Sequence, residues 1–304
     1  QSIYAFRGAN IENILSFQND YPHATTYRLE QNYRSSQNIV NAANSVIKHN
    51  QNKLDKNVWT QNAVGDKIIV HRSPTDGEEG RYVASSIFEY KMQHQLHHRD
   101  FAVLYRTNAQ SRSMEDALRK RDIPYRVYGG LSFYQRKEIK DVLAYLRLIV
   151  NSKDEESLKR VINYPARGIG QTTIDKLVVK AKENDCSIFE ILERIEELGT
   201  GINSGTRTKL ANFSMMMKSF QVLNETSNAF EIADAVTKKT GLVQELKKDG
   251  TPEAVTRIEN IEELLNGIKD FIEGQRELAD MTGSLTEFLE DVALISDLDQ
   301  GSEN

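Results

Sequence analysis

The spacing of apolar residues changes once along this chain, near residue 130, and that change limits the folds open to it. Before it, short apolar runs alternate with helical stretches. Lys67-Ile68-Ile69-Val70-His71 and Phe101-Ala102-Val103-Leu104-Tyr105 are too short for helices and read as buried strands. Thr25-Thr26-Tyr27-Arg28-Leu29 and Pro124-Tyr125-Arg126-Val127-Tyr128 are strand-like through their β formers. Between them Ile39, Val40, Ala43, Val46 and Ile47 recur at helical spacing within 36–50, and helices are expected over 78–90 and 111–121. Strands separated by helices of this length predict an α/β fold with a parallel sheet. From Lys137 onward the pattern is almost wholly helical, for example over 139–150, 173–183, 188–196, 207–223, 229–237 and 258–274. Gly129-Gly130 and the stretch 199–205 supply breaks, and 300–304 reads as a frayed end. The expected fold class is therefore α/β: a partial parallel sheet with helices, joined to a larger, mostly α-helical part.

Composition narrows the function classes. No run of roughly 18 apolar residues occurs, so no membrane span is expected. Nor does a charged-then-apolar signal segment open the chain. Cys186 is the only cysteine, which leaves no disulfide framework and no cysteine metal site, and a reducing cytoplasm is the expected location. The net charge of -5 conceals an asymmetry. Residues 1–150 hold 21 Lys and Arg against 15 Asp and Glu, whereas residues 151–304 hold 18 against 29. A polyanion is bound by local patches rather than by the total, so this distribution fits either a nucleic-acid face or an ordinary solvated surface.

Two clusters stand out. Tyr4 and Phe6 flank Ala5, with Arg7 and Gly8 next. Rings two residues apart on an extended chain either fill a core or offer faces to bases, a stacking worth about 1–3 kcal/mol per base. Leu29-Glu30-Gln31-Asn32-Tyr33-Arg34-Ser35-Ser36 places an aromatic beside an arginine between a strand and a helix. That pair suits a nucleotide, the ring for a base and the guanidinium for a phosphate; Arg34 as a plain surface charge is the alternative. His94, His97 and His98 have no carboxylate or cysteine at ligand spacing and read as a solvated helix end, so no metal ligands are expected. Met215-Met216-Met217 reads as helix packing.

Taken in order, Gln1-Ser2-Ile3-Tyr4-x-Phe6-Arg7-Gly8-Ala9 and Leu29 to Ser35 resemble consecutive motifs of the UvrD/PcrA/Rep family of superfamily 1 DNA helicases. The same order continues through Leu104-Tyr105-Arg106-Thr107-Asn108-Ala109-Gln110-Ser111-Arg112, Tyr128-Gly129-Gly130-x-x-Phe133-x-x-Arg136, Arg167-Gly168-Ile169-Gly170 and Arg257-Ile258-Glu259-Asn260-Ile261-Glu262-Glu263-Leu264. The resemblance covers essentially the whole chain and is nearest in pattern to the Gram-positive PcrA branch.

The resemblance implies the following expectations. Gln1 senses the ATP γ-phosphate, Tyr33 stacks on adenine and Arg34 is the arginine finger. Tyr4 and Phe6 bracket single-stranded bases, with Arg7 near the DNA backbone; many relatives carry tryptophan where Phe6 stands. Asn108 and Arg112, at a strand end and helix start, contact single-stranded DNA, where free helix N–H groups suit an anion, or act as turn and capping residues. Gly168-Ile169-Gly170 is similar to a helix-hairpin-helix turn that binds duplex phosphates, or is a helix-capping loop. Arg257, Glu259 and Asn260 form a polar network or part of the DNA site. Domains follow as 1–20, the end of motor domain 1A; 21–130, the first part of RecA-like motor domain 2A; 131–297, helical accessory domain 2B; and 298–304, a linker.

No G-x-x-x-x-G-K-[ST] loop occurs in the 304 residues. The chain opens on Gln1 rather than methionine. It is therefore expected to be an internal segment of an ATP-dependent 3′ to 5′ DNA helicase of the DNA-repair and plasmid-replication type. ATP and Mg²⁺ are the parent's cofactors, and no turnover or bound cofactor is expected of the segment itself. Expected partners are single-stranded DNA and single-strand/duplex junctions, with RNA polymerase, mismatch-repair and replication-initiator proteins as protein partners. The other readings are a motor subunit of a helicase–nuclease complex, and a helical domain acting chiefly as a protein-interaction module.

Overall fold

The computed structural model describes residues 16–25, 27–50, 56–128, 130–197, 201–276 and 283–300. The chain divides into two compact units, 1–72 and 73–304.

In the first unit, helix α1 spans Phe17–Asp20 and α2 spans Gln37–Ile47. No side chain caps α2. Its first two free amides are instead satisfied by neighbouring chain, Gln37 N donating to Ala63 O (3.1 Å) and Asn38 N to Val64 O (3.1 Å). Asn44 adds a two-way clamp, donating to Val58 O (2.7 Å) and accepting from Val58 N (3.3 Å). Val40 is the one buried apolar side chain among the unit's described residues.

The second unit is a helical assembly. Its helices are α3 (Asp76–His94), α4 (Ser111–Arg119), α5 (Lys137–Val150), α6 (Glu155–Val161), α7 (Gln171–Glu183), α8 (Ile188–Glu193), α9 (Ser204–Asn224), α10 (Ala229–Lys239), α11 (Leu242–Asp249), α12 (Pro252–Arg276) and α13 (Leu285–Gln300). Local chemistry sets many of their starts. Thr75, Asp154, Ser187, Asn203 and Asn228 each accept a hydrogen bond from an amide in the first turn of the helix they precede. Glu190 and Glu231 reach back to complete capping boxes at α8 and α10.

Helix α5 is the centre of the core. Ile139, Val142, Leu143, Tyr145, Leu146, Leu148 and Ile149 are buried over most of its circumference, leaving only a narrow stripe with Lys140 and Arg147 in solvent, a pattern that suits a helix packed between others. The same core cluster takes in Phe133 and apolar residues of α6 to α13, including Leu177, Ile191, Phe213, Phe220, Ile232, Leu264, Ile268 and Phe288. Polar side chains on so buried a helix need partners. Asp141 has two, accepting from Lys137 Nζ (2.8 Å) and Arg160 Nε (2.7 Å). A second, smaller cluster of Ala84, Ala117, Leu118 and Ile123 joins α3 to α4.

The sheet expected from the sequence is not formed. Among the described residues no strand is present, and the one ladder contact is a single parallel bridge, Gln31 to Trp59. Residues 27–29, 67–71, 101–105 and 124–128 carry no regular pairing, so the α/β parallel-sheet expectation is corrected to a predominantly helical architecture. The physical reason lies in where strand hydrogen bonds go. They join different segments, so an apolar run records an inclination to be covered without naming what covers it. Here 101–105 and 124–128 line a cleft of about 850 Å³ rather than share a ladder, and Val70, Leu104 and Tyr128 stand in solvent.

Candidate nucleotide and nucleic-acid contact sites

In the first unit, the Tyr33–Arg34 pair sits on a loop whose backbone is tied down from three sides. Asn32 folds its side chain forward, and its Oδ1 accepts from Arg34 N (2.9 Å) and Ser35 N (2.8 Å), an Asx turn. Asn62 Nδ2 donates to Ser35 O (3.1 Å) and Tyr33 O (3.4 Å). Asn32 N donates to Trp59 O (2.7 Å), and Trp59 N donates to Glu30 O (2.9 Å). The backbone is thus committed while both side chains face solvent: Tyr33 is 79% exposed and Arg34 is exposed. A fixed loop presenting a bare ring and a guanidinium can hold a planar base and a phosphate with little ordering on binding.

In the second unit, Asn108 opens a single 3-10 turn, Asn108–Gln110, that runs directly into α4. Gln110 Oε1 accepts from Arg106 N (2.9 Å) and Thr107 N (3.0 Å), which closes the turn. Asn108 is exposed. Beneath it Arg136, 8% exposed, donates to Asn108 O (2.8 Å), Ser111 Oγ (2.7 Å) and Asn260 Oδ1 (3.0 Å). Asn260 Nδ2 in turn donates to Glu138 Oε1 (2.6 Å). Burial lowers the Arg136 pKa, against the pull of Glu115 and Glu138. Phe133, from the same run, is fully buried beneath the Arg136 guanidinium, 5.1 Å from ring centre to Cζ.

Arg112 is placed differently from Asn108. It is 3% exposed and surrounded by carboxylates. Nε donates to Glu263 (2.7 Å), Nη2 to Asp76 (2.8 Å) and Asp270 (2.9 Å), and Nη1 to Asp116 (3.2 Å). Burial works against the charge, but Glu263 and Asp116 outweigh it and hold the guanidinium above the ordinary arginine range. Burial also lifts the carboxyls of Asp116 and Glu263, against the neighbouring arginines. This guanidinium is committed to joining α3, α4 and α12.

Gly168-Ile169-Gly170 forms a tight turn into α7. Asn163 Oδ1 accepts from both Arg167 N (3.0 Å) and Ile169 N (2.9 Å), and the Ile169 side chain is buried. Gly168 has φ +69°, where a side chain is strained, and a Cβ there would lie 2.7 Å from Lys209 Nζ. Two exposed glycines, a helix N-terminus and a lysine ammonium therefore meet at one surface point. Arg167 anchors the turn from inside, donating to Val161 O (2.9 Å) and Tyr145 Oη (2.8 Å). Burial pushes the Tyr145 hydroxyl up to about 12.

Gln1, Tyr4, Phe6 and Arg7 lie outside the described residues. The structure brings Asn108 close to Arg136 and Asn260, and of the trio Arg257, Glu259 and Asn260 it buries only Asn260. Sequence reading missed the carboxylate set around Arg112. Its one signal was the recurrence of polar Asn260, Glu263 and Asp270 on a single face of an otherwise amphipathic helix. His94, from the histidine group, stacks on Tyr90 at 5.5 Å.

Comparison with known proteins identifies the family. Residues 27–304 match the family model described as the UvrD-like helicase C-terminal domain. The chain is 41% identical over its full 304 residues to an ATP-dependent DNA helicase PcrA of Leuconostoc citreum. Over 300 residues, 99% of the chain, it is 42% identical to proteins of the same name from Staphylococcus epidermidis and Staphylococcus aureus. The chain spans about 40% of the length of these curated relatives. With a family model matched across nearly its whole length, the chain belongs to the UvrD-like helicase C-terminal domain family.

Proposed function

We propose that this chain is the part of an ATP-dependent 3′ to 5′ DNA helicase that supplies the arginine finger, one stretch of the single-stranded DNA track and the duplex-contacting accessory domain. The observation that carries the reading is the Tyr33–Arg34 loop. Its backbone is held by Asn32, Asn62 and Trp59, while ring and guanidinium stay open to solvent. On this reading Tyr33 stacks on adenine and Arg34 meets the γ-phosphate together with Gln1. ATP supplies the phosphoryl group whose transfer to water drives movement. Arg34 adds positive charge where negative charge builds up in that transfer, an effect worth about 10³–10⁵ in rate in other enzymes.

Single-stranded DNA would run by Tyr4, Phe6, Arg7 and the exposed Asn108, stacking and backbone contact sharing the load. Duplex phosphates would meet the Gly168–Gly170 turn, where backbone amides and Lys209 read charge rather than sequence. Helices α5 to α13 would form the accessory domain that carries this turn. The 304 residues hold no G-x-x-x-x-G-K-[ST] phosphate loop, so we infer that the chain alone does not turn over ATP and that Mg²⁺ and the triphosphate are gripped elsewhere in the longer protein.

The test is DNA-stimulated ATP hydrolysis by the longer protein that contains this chain. Arg34→Lys keeps the charge but loses the planar fork, and both it and Arg34→Ala should lower kcat by about a thousandfold or more while leaving DNA affinity nearly intact. Turnover within a few-fold of the parent in Arg34→Ala would remove the finger from the mechanism.

A further inference from the structure

The turn at residues 107–111 is held from below by one face of one helix. Asn260, Glu263, Gly267 and Asp270 follow each other on α12 at spacings of three, four and three, which puts them in a single stripe. The neighbouring face of the same helix carries Ile261, Leu264, Ile268 and Ile272 into the helical core. The stripe grips two buried arginines that bracket the turn. Arg136 binds Asn260 and reaches up to Asn108 O and Ser111 Oγ. Arg112, the residue after Ser111, binds Glu263 and Asp270. Its guanidinium lies so close along the helix that a Cβ on Gly267 would stand 2.8 Å from Nη1 and 3.1 Å from Cζ.

The Arg112 guanidinium is buried while Asp76 and Asp270 are half-exposed; a buried charge held this way adds little net stability, because desolvation offsets much of the attraction, but it restricts the geometry. What they fix here is the path of an exposed turn. Gln110 closes that turn internally, leaving its direction to the two arginines.

We propose that the Asn260–Glu263–Gly267–Asp270 stripe of α12, acting through Arg112 and Arg136, is the positioning device that aims the 107–111 turn at a nucleic-acid backbone. These are positioning residues: they touch Arg112 and Arg136, which hold the turn, and not the ligand. The proposal rests on the reading of Asn108 as a DNA contact, and it adds that the helical core sets how that contact is presented.

Two measurements on the whole chain test it separately. The first is hydrogen–deuterium exchange of the peptide covering 106–111 in Glu263→Gln, which keeps shape and removes one charge. Exchange in that peptide should rise about tenfold, while peptides of α5 and α9 stay as protected as in the parent. Unchanged exchange at 106–111, or a uniform rise throughout the helical core, overturns the proposal. Asp270→Asn, at a half-exposed side chain, repeats the measurement if Glu263→Gln lowers global stability.

The second is anisotropy of a fluorescein-labelled oligodeoxythymidine with Asn108→Ala, Glu263→Gln and the double variant. Each single change should weaken binding several-fold, and the double variant should bind no worse than Asn108→Ala alone, the signature of residues acting through one contact. Losses that multiply refute positioning. If exchange rises as expected while Asn108→Ala leaves affinity unchanged, the device stands and the DNA reading of the turn falls.

Discussion

Replacing Gly267 by alanine tests whether Arg112 is held as tightly as its carboxylates imply. In an open helix interior, glycine to alanine stabilises by about 0.5–1 kcal/mol, because alanine has less backbone freedom to lose. Gly274, on the same helix, has nothing within 4 Å of the point where a methyl would stand and should show that gain. At Gly267 the new methyl meets Arg112 Nη1 at 2.8 Å and Cδ and Cζ at 3.1 Å. Arg112 has nowhere to retreat, since four carboxylates hold it at 2.7 to 3.2 Å.

Overpacking of a buried site costs about 1–3 kcal/mol, and more if an ion pair opens and leaves a buried charge uncompensated. Against the propensity gain, Gly267→Ala should therefore destabilise by about 1–2 kcal/mol, and the two variants should differ by roughly 1.5–3 kcal/mol. Urea unfolding followed by helical circular dichroism measures both. Equal stabilisation by the two substitutions would mean that Arg112 moves freely, and the positioning role of α12 would lose its basis.

Three further outcomes are expected. Tyr145→Phe removes the hydroxyl that accepts from Arg167 and serves the carbonyls of Val161 and Tyr164, and should lower stability by about 1–3 kcal/mol in the same urea assay; a change under a few tenths would show that water replaces it. Glu115 is buried, accepts from Phe133 N and Tyr125 Oη, and burial holds its carboxyl above the ordinary 4.5 against Ser111, Arg119 and Arg136. Its folded-state pKa is raised, so its contribution is fully present below pH 4.5 and is lost as pH rises through the raised value. Glu115→Gln should accordingly match the parent in acid and exceed it at neutral pH, whereas parallel stability curves would contradict the shift. Asn32→Ala frees the Arg34 and Ser35 amides, so hydrogen exchange across that loop should rise about fivefold or more, and an unchanged rate would mean that Asn62 and Trp59 hold the loop unaided.

The helices were legible because their causes are local. The apolar spacing of 139–150 and 258–274, and caps such as Ser187 with Glu190, act within one or two turns of chain, and the helices stand where that chemistry puts them. The Asx turn of Asn32 is equally local and lies inside a motif readable from the residues alone. Strand pairing was not legible. The apolar runs at 67–71 and 101–105 have the composition of strands, yet a strand exists only where a second segment completes its hydrogen bonds.

The environment of Arg112 lies at the far end of that scale. As a residue just past a polar turn and at a helix start, it had the profile of an anion contact. Its carboxylate partners Asp76, Glu263 and Asp270 are 36, 151 and 158 residues away along the chain, and only packing brings them within 3 Å. The sequence by itself determined most of the helices and the residue types offered to a nucleotide and to DNA, since each depends on neighbours a few positions apart, and its ordered motifs determined the family. Tertiary structure alone decided that Asn108 faces solvent while Arg112 is buried among carboxylates, because burial and charge pairing are properties of what is brought near and not of what is adjacent.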